Sequence, residues 1–462
     1  MENGFKWVRS HFALLLCIIL ALHVVIRLSL SWALLDTPVT GDERYAWSAY
    51  IAEDLFYREN FLPGNSIFLR WFSPLLGESL PKARIMMVLA GIGTLALVLI
   101  AMKYALGPII SLCLGGISLL FIDFHTMSFG LWGEHLFSLL LIAFISLLLL
   151  MTASAKISNI RFGILLAGLA VTYTAALYLR QNATMLAPIS TIYILIVLIQ
   201  NWLSERKVHY RLLVVPAMVF LNLLVLTPWW NFLEETVGHP QTHASSVDVS
   251  LAVHYGYEPL EQINPAFHTY IQNECEVPQA LKRNPFNSLN YCLNRYTENS
   301  SIKRYDLLQD LRASALATWT PSHVMSNVNE AFGRLIFLNA RFSDRLLSST
   351  SAQGEQTASR SWIPKNIWLS VSHVLVPIMY FLSFAYCVFG FLERGNRKYQ
   401  HILFFGVFTL SNAIVLLHQT NERHYIAFLP LFILGGLLMF RLSSDIFARF
   451  LENRKNLKPV TN

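Results

Sequence analysis

Ten apolar runs divide this 462-residue chain, and they constrain its fold more than any other feature. A helix needs about 20 residues to cross the hydrocarbon core of a bilayer, and the helix satisfies its own backbone groups there. The runs fall at 12–35, 84–103, 107–123, 132–153, 162–179, 184–201, 211–229, 363–391, 400–418 and 424–442. The one at 107–123 is short and contains Gly115 and Gly116. The pattern predicts an all-α polytopic membrane protein with about ten transmembrane helices. The first run is too long for a signal-peptide core and has no small-residue cleavage site, so it is expected to remain as an anchor. With 54% hydrophobic and 14% charged residues and a mean hydropathy of +0.46, an ordinary soluble domain is excluded.

The basic residues orient the spans. Lys6, Arg9, Lys103, Arg161, Arg211, Arg397, Lys398 and Arg441 fall on one side, whereas the two short turns near 180 and 420 hold only Arg180 and Arg423. This positive-inside asymmetry puts the N-terminus in the cytoplasm. It places 36–83 and the long 230–362 segment outside, in the periplasm if the membrane is a bacterial inner membrane. The net charge of +7 is then a matter of topology, and nothing in it points to nucleic acid. Three units are expected: a membrane module over 1–231 with seven spans, a mostly helical outer segment over 232–362, and a three-span module over 363–462 ending in a basic tail. Cys275 and Cys292 share the outer segment, with no other cysteine outside, and are expected to form a disulfide in that oxidising compartment. Two histidines, His239 and His243, invite a metal there, although loop histidines are more often simply solvated.

Chemistry concentrates just after the first run, at Gly41-Asp42-Glu43-Arg44-Tyr45. A carboxylate pair at the bilayer edge is either a solvated helix end or the acidic part of a site acting on a lipid headgroup. Two aromatic segments follow, Tyr45–Tyr57 and Ile67–Leu76, too short and polar to span. They are expected to lie in the interface as a platform. The other outer turns bring Glu134 and His135, Arg180, and Arg423 and His424 to the same face, while mid-span positions are mostly apolar. That segregation favours a site at one face over a transport path through the bilayer. His23 and Arg27, four apart on one face of the first run, are polar exceptions for which a structural partner or a phosphate would each account.

The run from Asp42 to Glu134 resembles the start of GT-C superfamily glycosyltransferases, in particular the protein O-mannosyltransferase and lipid A aminoarabinose transferase branch. The resemblance rests on Asp42-Glu43, Tyr45, Pro74, Leu76-Gly77-Glu78-Ser79, Arg84, Glu134 and Arg180, on Pro228-Trp229-Trp230-Asn231, and on Arg423 to Pro430. It covers roughly 36–231 and 421–432. Tyr45 stands one residue closer to the acidic pair than in the aminoarabinose branch, the spans are fewer, and 232–362 has no counterpart. The resemblance implies inverting transfer of a sugar from a polyprenyl-phosphate donor to an envelope acceptor, either protein or glycan. Asp42 would be the general base with Glu43 as the alternative, and Glu134 would orient hydroxyl groups or pair with Arg27. Arg180 and Arg423 would clamp the donor phosphate, with Arg44 and His424 beside them. Interfacial snorkelling is the plain alternative for the arginines. The resemblance fixes no cofactor and leaves the use of a divalent ion open. A lipid-linked-sugar flippase and a non-catalytic membrane scaffold are the competing functions. The former wants polar groups spread through the depth of the spans, and the latter leaves the charged outer turns unexplained.

Overall fold

Buried and exposed residues are sorted along the first long helix, α1 (Phe12–Leu34), as they are in a membrane. Leu14, Ile18, Leu22 and Val25 are exposed, whereas His23, Arg27, Leu30, Ser31 and Leu34 are buried. Apolar side chains meet lipid and the polar ones turn inward, because hydrocarbon offers them no hydrogen bonds. This computed structural model describes residues 2–35, 37, 42–52, 62–152, 157–205, 209–237, 246–279, 281–282, 285–298, 300–337, 343–344, 347–348, 364–395, 397–418 and 427–456. Among them the secondary structure is helical, with no strand.

Eight helical stretches among the described residues are long and apolar enough to cross a membrane: Phe12–Leu34, Leu80–Ala105, Gly133–Thr152, Asn159–Leu179, Asn182–Leu203, Tyr210–Thr236, Lys365–Leu392 and Leu429–Glu452. Of the two remaining apolar runs, 400–418 lies in a 22-residue helix, Arg397–His418. The other, 107–123, is not one continuous helix. The helix Leu80–Ala105 closes at Gly107, whose positive φ of 101° and amide bonds to the Met102 and Lys103 carbonyls stop the chain. Pro108 then starts an 11-residue helix that ends at Ser118. At a rise of 1.5 Å per residue this covers only about 16 Å. After an irregular turn the chain resumes as the short helix Ile122–Thr126, and by Phe129 it lies against Arg84, near the start of Leu80–Ala105. The chain has therefore travelled back along that helix as an interrupted span. Irregular backbone at this depth is tolerated because Ile122, Asp123, Phe124, His125 and Thr126 are all buried in protein.

Between the first two spans lie the helices Asp42–Ile51 and Gly64–Trp71 and the turn Ser73–Leu76. Tyr50, Leu69 and Leu76 pack with Ala83, Met87, Leu131 and Leu136, so these short helices form a platform on the ends of two spans. The outer segment has its own small core of Val249, Ala252, Leu260, Phe267, Leu289, Leu293, Leu307, Leu308 and Leu311. Cys275 and Cys292 form a disulfide there, with Cα atoms 5.7 Å apart, and Arg312 pairs with the buried Asp248 at 2.7 Å. The segment docks on the membrane helices through Phe332, whose ring meets those of Tyr380 and Phe381. In the segment expected to be mostly helical, the longest helices are Ser301–Ala317 and Pro321–Phe337 among the described residues. The Ser/Thr-rich stretch at 344–361 lies largely outside the described residues, and His239 and His243 lie wholly outside them.

Candidate active site

Three outer elements converge on one membrane face. The Asn65 amide donates to the Leu131 carbonyl at 2.7 Å, joining the platform to the turn before the helix Gly133–Thr152. Gly64 lies so close to the Tyr178 carbonyl that a Cβ there would come within 2.7 Å of it. Gly133 lies similarly against Leu179, with 3.2 Å between a Cβ and the Leu179 carbonyl. Each glycine stands where a side chain would separate two elements. The Tyr50 hydroxyl donates to the Gly77 carbonyl at 2.8 Å. Burial, and then the Glu78 carboxylate, raise its pKa, so it keeps its proton and this bond at neutral pH.

At the inner edge of the platform stands Glu43, 1% exposed. Arg84 grips it in a fork, Nε to Oε1 at 2.8 Å and Nη2 to Oε2 at 2.7 Å. The remaining arm of Arg84, Nη1, donates to the carbonyls of Leu35 and Thr37, each at 3.0 Å. The Phe129 ring lies 4.9 Å from the guanidinium carbon. Arg84 thus ties together the end of the first span, the platform helix, the second span and the turn after the interrupted span. Asp42 opens the platform helix, in the first turn, where a carboxylate favours the helix dipole. Its side chain lies outside the described residues, as do Arg423 and His424 entirely. Arg44 is exposed on the same helix.

Glu134 and Arg180 form an ion pair across the mouths of their helices. Glu134 is nearly sealed, with a side chain 3% exposed, while Arg180 keeps 17% of its side chain open. Glu134 therefore pairs with Arg180, and Arg27 instead donates to His135 at 3.0 Å. A small apolar crevice with room for about one water molecule is lined by Phe137, Leu141, Asn182, Leu186, Val407 and Phe428. Its residues come from the first turns after Glu134 and Arg180 and from two late helices.

Asp123 also belongs to this face. It is fully buried, accepts a hydrogen bond from Ser343 of the outer segment, and is followed by Thr126, whose hydroxyl is 2.6 Å from that of Ser343. An acidic residue between two apolar runs was the available signal. No group of three histidine, cysteine or acidic side chains able to hold a metal occurs among the described residues.

No protein-family model matches the chain, and no curated protein matches it. Solved structures do. The oligosaccharyltransferase of Archaeoglobus fulgidus in its apo form is 13% identical and superposes with a TM-score of 0.54 over 97% of this chain and 52% of that one. The same archaeal enzyme, AglB, in complex with an inhibitory peptide and a dolichol-phosphate, is 12% identical with a TM-score of 0.50, over 96% and 52% of the two chains. ArnT from Cupriavidus metallidurans bound to undecaprenyl phosphate gives a TM-score of 0.36 at 12% identity, over 92% and 78%. The chain spans about half the length of the oligosaccharyltransferase. The superposition along nearly the whole chain shows that this protein shares the all-helical membrane fold of the archaeal oligosaccharyltransferase.

Proposed function

We propose that the protein is an inverting glycosyltransferase that moves a sugar from a polyprenyl-phosphate donor to an envelope acceptor, glycan or protein. It would act at the periplasmic face of a bacterial inner membrane, with its N-terminus in the cytoplasm. The observation that carries the reading is the ion pair of the sealed Glu134 with the partly open Arg180, on a fold shared with the archaeal oligosaccharyltransferase. An arginine with one side to solvent can turn its guanidinium to a phosphate. AglB in complex with a dolichol-phosphate and a peptide supports the same two classes of partner.

In the reaction the acceptor O–H or N–H attacks the anomeric carbon as Asp42 takes its proton. The bond from that carbon to the phosphate oxygen breaks, and the polyprenyl phosphate leaves with the electron pair. Asp42 is favoured over Glu43 as base because both oxygens of Glu43 are held by Arg84 in a sealed fork and are not free to reach an acceptor. Arg180, with Arg423, Arg44 and His424 from the same face, would bind the phosphate and stabilise the charge that grows on it. Glu134 would aim Arg180. The test is transfer of a labelled sugar from polyprenyl phosphate to envelope acceptor by the purified protein, across a panel of sugars. Inverted product that disappears in Asp42→Asn supports the reading. Donor movement across vesicles without any transfer would replace it with a flippase.

A further inference from the structure

One helix of the outer segment reaches out of it and into the membrane helices. In Pro321–Phe337 the Phe332 ring lies 5.3 Å from that of Tyr380 and 5.6 Å from that of Phe381. It packs against the core of the membrane helices. The outer segment joins the span Lys365–Phe389 at Lys365. Tyr380 stands about 15 residues further on, or about 22 Å along the span. The first turns of this span carry Lys365, Asn366, Ser370, Ser372 and His373. Exposed apolar residues then recur at Val374, Ile378, Phe381 and Phe384, which is the lipid-facing stripe of the span. Measured from Val374, Tyr380 is still about 9 Å deeper.

The start of the helix is held in the outer segment. Thr318 donates to the Tyr255 carbonyl at 2.6 Å, and the Trp319 ring meets that of Tyr255 edge-on at 5.5 Å. From there the helix packs along both Lys365–Phe389 and Arg397–His418 as it descends. By Ser343 the chain is back beside Asp123, and Asp344 pairs at 2.7 Å with Lys365, the first residue of the span. The chain therefore enters and leaves on the same side.

The descending helix has two faces. Ser322, Ser326, Asn329 and Glu330 are exposed and spaced to share one of them. Val324, Met325, Val328 and Phe332 share the other, where Met325 is 61% exposed. Met325 precedes Phe332 by about two turns, or about 10 Å, which sets it level with Val374. Trp319, also exposed, stands a further turn and a half towards the outer segment. A tryptophan at that height belongs to the aromatic belt of a membrane interface.

We infer that Pro321–Phe337 is a re-entrant helix of the outer leaflet, with phospholipid acyl chains against Met325 and headgroups around Trp319. The lipid-facing stripe of the neighbouring span continues onto it through Phe381, which touches Phe332 and is itself exposed. The polar face meets water at the same depth, because an acid such as Glu330 is costly against hydrocarbon. The bilayer then holds the outer segment in place together with the chain. The inference is independent of the proposed transfer reaction, and its failure would leave that reaction untouched.

The experiment uses the full chain in phosphatidylcholine nanodiscs, with the free cysteines removed as Cys17→Ala, Cys113→Ala and Cys387→Ala. A nitroxide is attached at Met325→Cys or Asn329→Cys, and at Val374→Cys for reference. Collisions with oxygen, which concentrates in hydrocarbon, and with a water-soluble nickel chelate are read by power saturation. Met325→Cys should match Val374→Cys and favour oxygen several-fold, whereas Asn329→Cys should favour the chelate. A chelate-favouring profile at Met325→Cys, equal profiles at Met325→Cys and Asn329→Cys, or shielding of Met325→Cys from both reagents by a second copy would each overturn the inference. Should the labelled variants fail to fold, the unaltered protein in nanodiscs with an acyl-chain diazirine phosphatidylcholine gives a second reading. After illumination, peptides covering 321–337 and 374–384 should both carry lipid adducts. Adducts on 374–384 alone would overturn the inference.

Discussion

Glu43 and Arg84, 41 residues apart, meet in a two-pronged ion pair in which each side chain is 1% exposed. Breaking a buried pair by neutralising one partner strands the other charge and costs about 3–5 kcal/mol. Arg84 also holds the carbonyls of Leu35 and Thr37, so losing it would release the end of the first span as well. Glu43→Gln should therefore lower thermal stability and loosen the platform. Replacing both residues, as Glu43→Leu with Arg84→Met, should recover part of the loss because no orphan charge remains. Unfolding temperatures of the two variants in one detergent decide it. If Glu43→Gln keeps its stability and loses only turnover, Glu43 is the base after all.

Asp42→Asn is the complementary experiment. The substitution is nearly isosteric and removes the proton acceptor, so turnover should drop by about two to four orders of magnitude, the usual contribution of a positioned base. Stability should be nearly unchanged, with the Glu43–Arg84 pair left intact. Steady-state transfer rates beside melting curves separate this outcome from unfolding.

That Glu134 and Arg180 stand at the mouths of neighbouring helices was legible in the sequence, while their pairing was not. Glu134 and Arg180 stood out because a charge at the mouth of an apolar run is conspicuous, and their ion pair joins neighbouring helices. Arg84 was visible as an arginine opening the second span, but nothing periodic links it to Glu43. The tie depends on how the platform helix folds back. The short apolar run with paired glycines marked a weak span, yet the sites of its break and of its helpers could not be read. His23 reaches Gly115 across 92 residues, and His125 turns back only six. Arg27 looked available to Glu134, and the packing around Gly91 gave it His135 instead. The disulfide was legible for a simpler reason, since topology left Cys275 and Cys292 alone together.

That disulfide closes a loop with a sequence separation of 17, worth about 3 kcal/mol in the chain-entropy account. Cys292 lies in the core of the outer segment, so the effect should be local. Cys275→Ser with Cys292→Ser should raise proteolysis and hydrogen exchange across 260–311 while the membrane helices keep their protection. Uniform loss of protection would mean that the outer segment and the membrane helices unfold as one unit.

Arg180 offers the sharpest separation of binding from chemistry. In the proposed reaction its charge would act on the donor phosphate both before and during departure, so Arg180→Ala should raise the donor KM and lower kcat as well. Glu134→Gln should act differently. It leaves the arginine charge in place and removes the carboxylate that aims it, so kcat should suffer more than KM. The two effects should not add, because each variant disrupts the same ion pair, and residues in direct contact couple by about 0.5–3 kcal/mol. The measurement is a double-mutant cycle on kcat/KM with labelled donor and matched protein, beside melting curves that report the cost of burying Glu134 without Arg180. Additive losses would mean that Glu134 and Arg180 serve separate ends, and that the phosphate is held by another cation of the outer face.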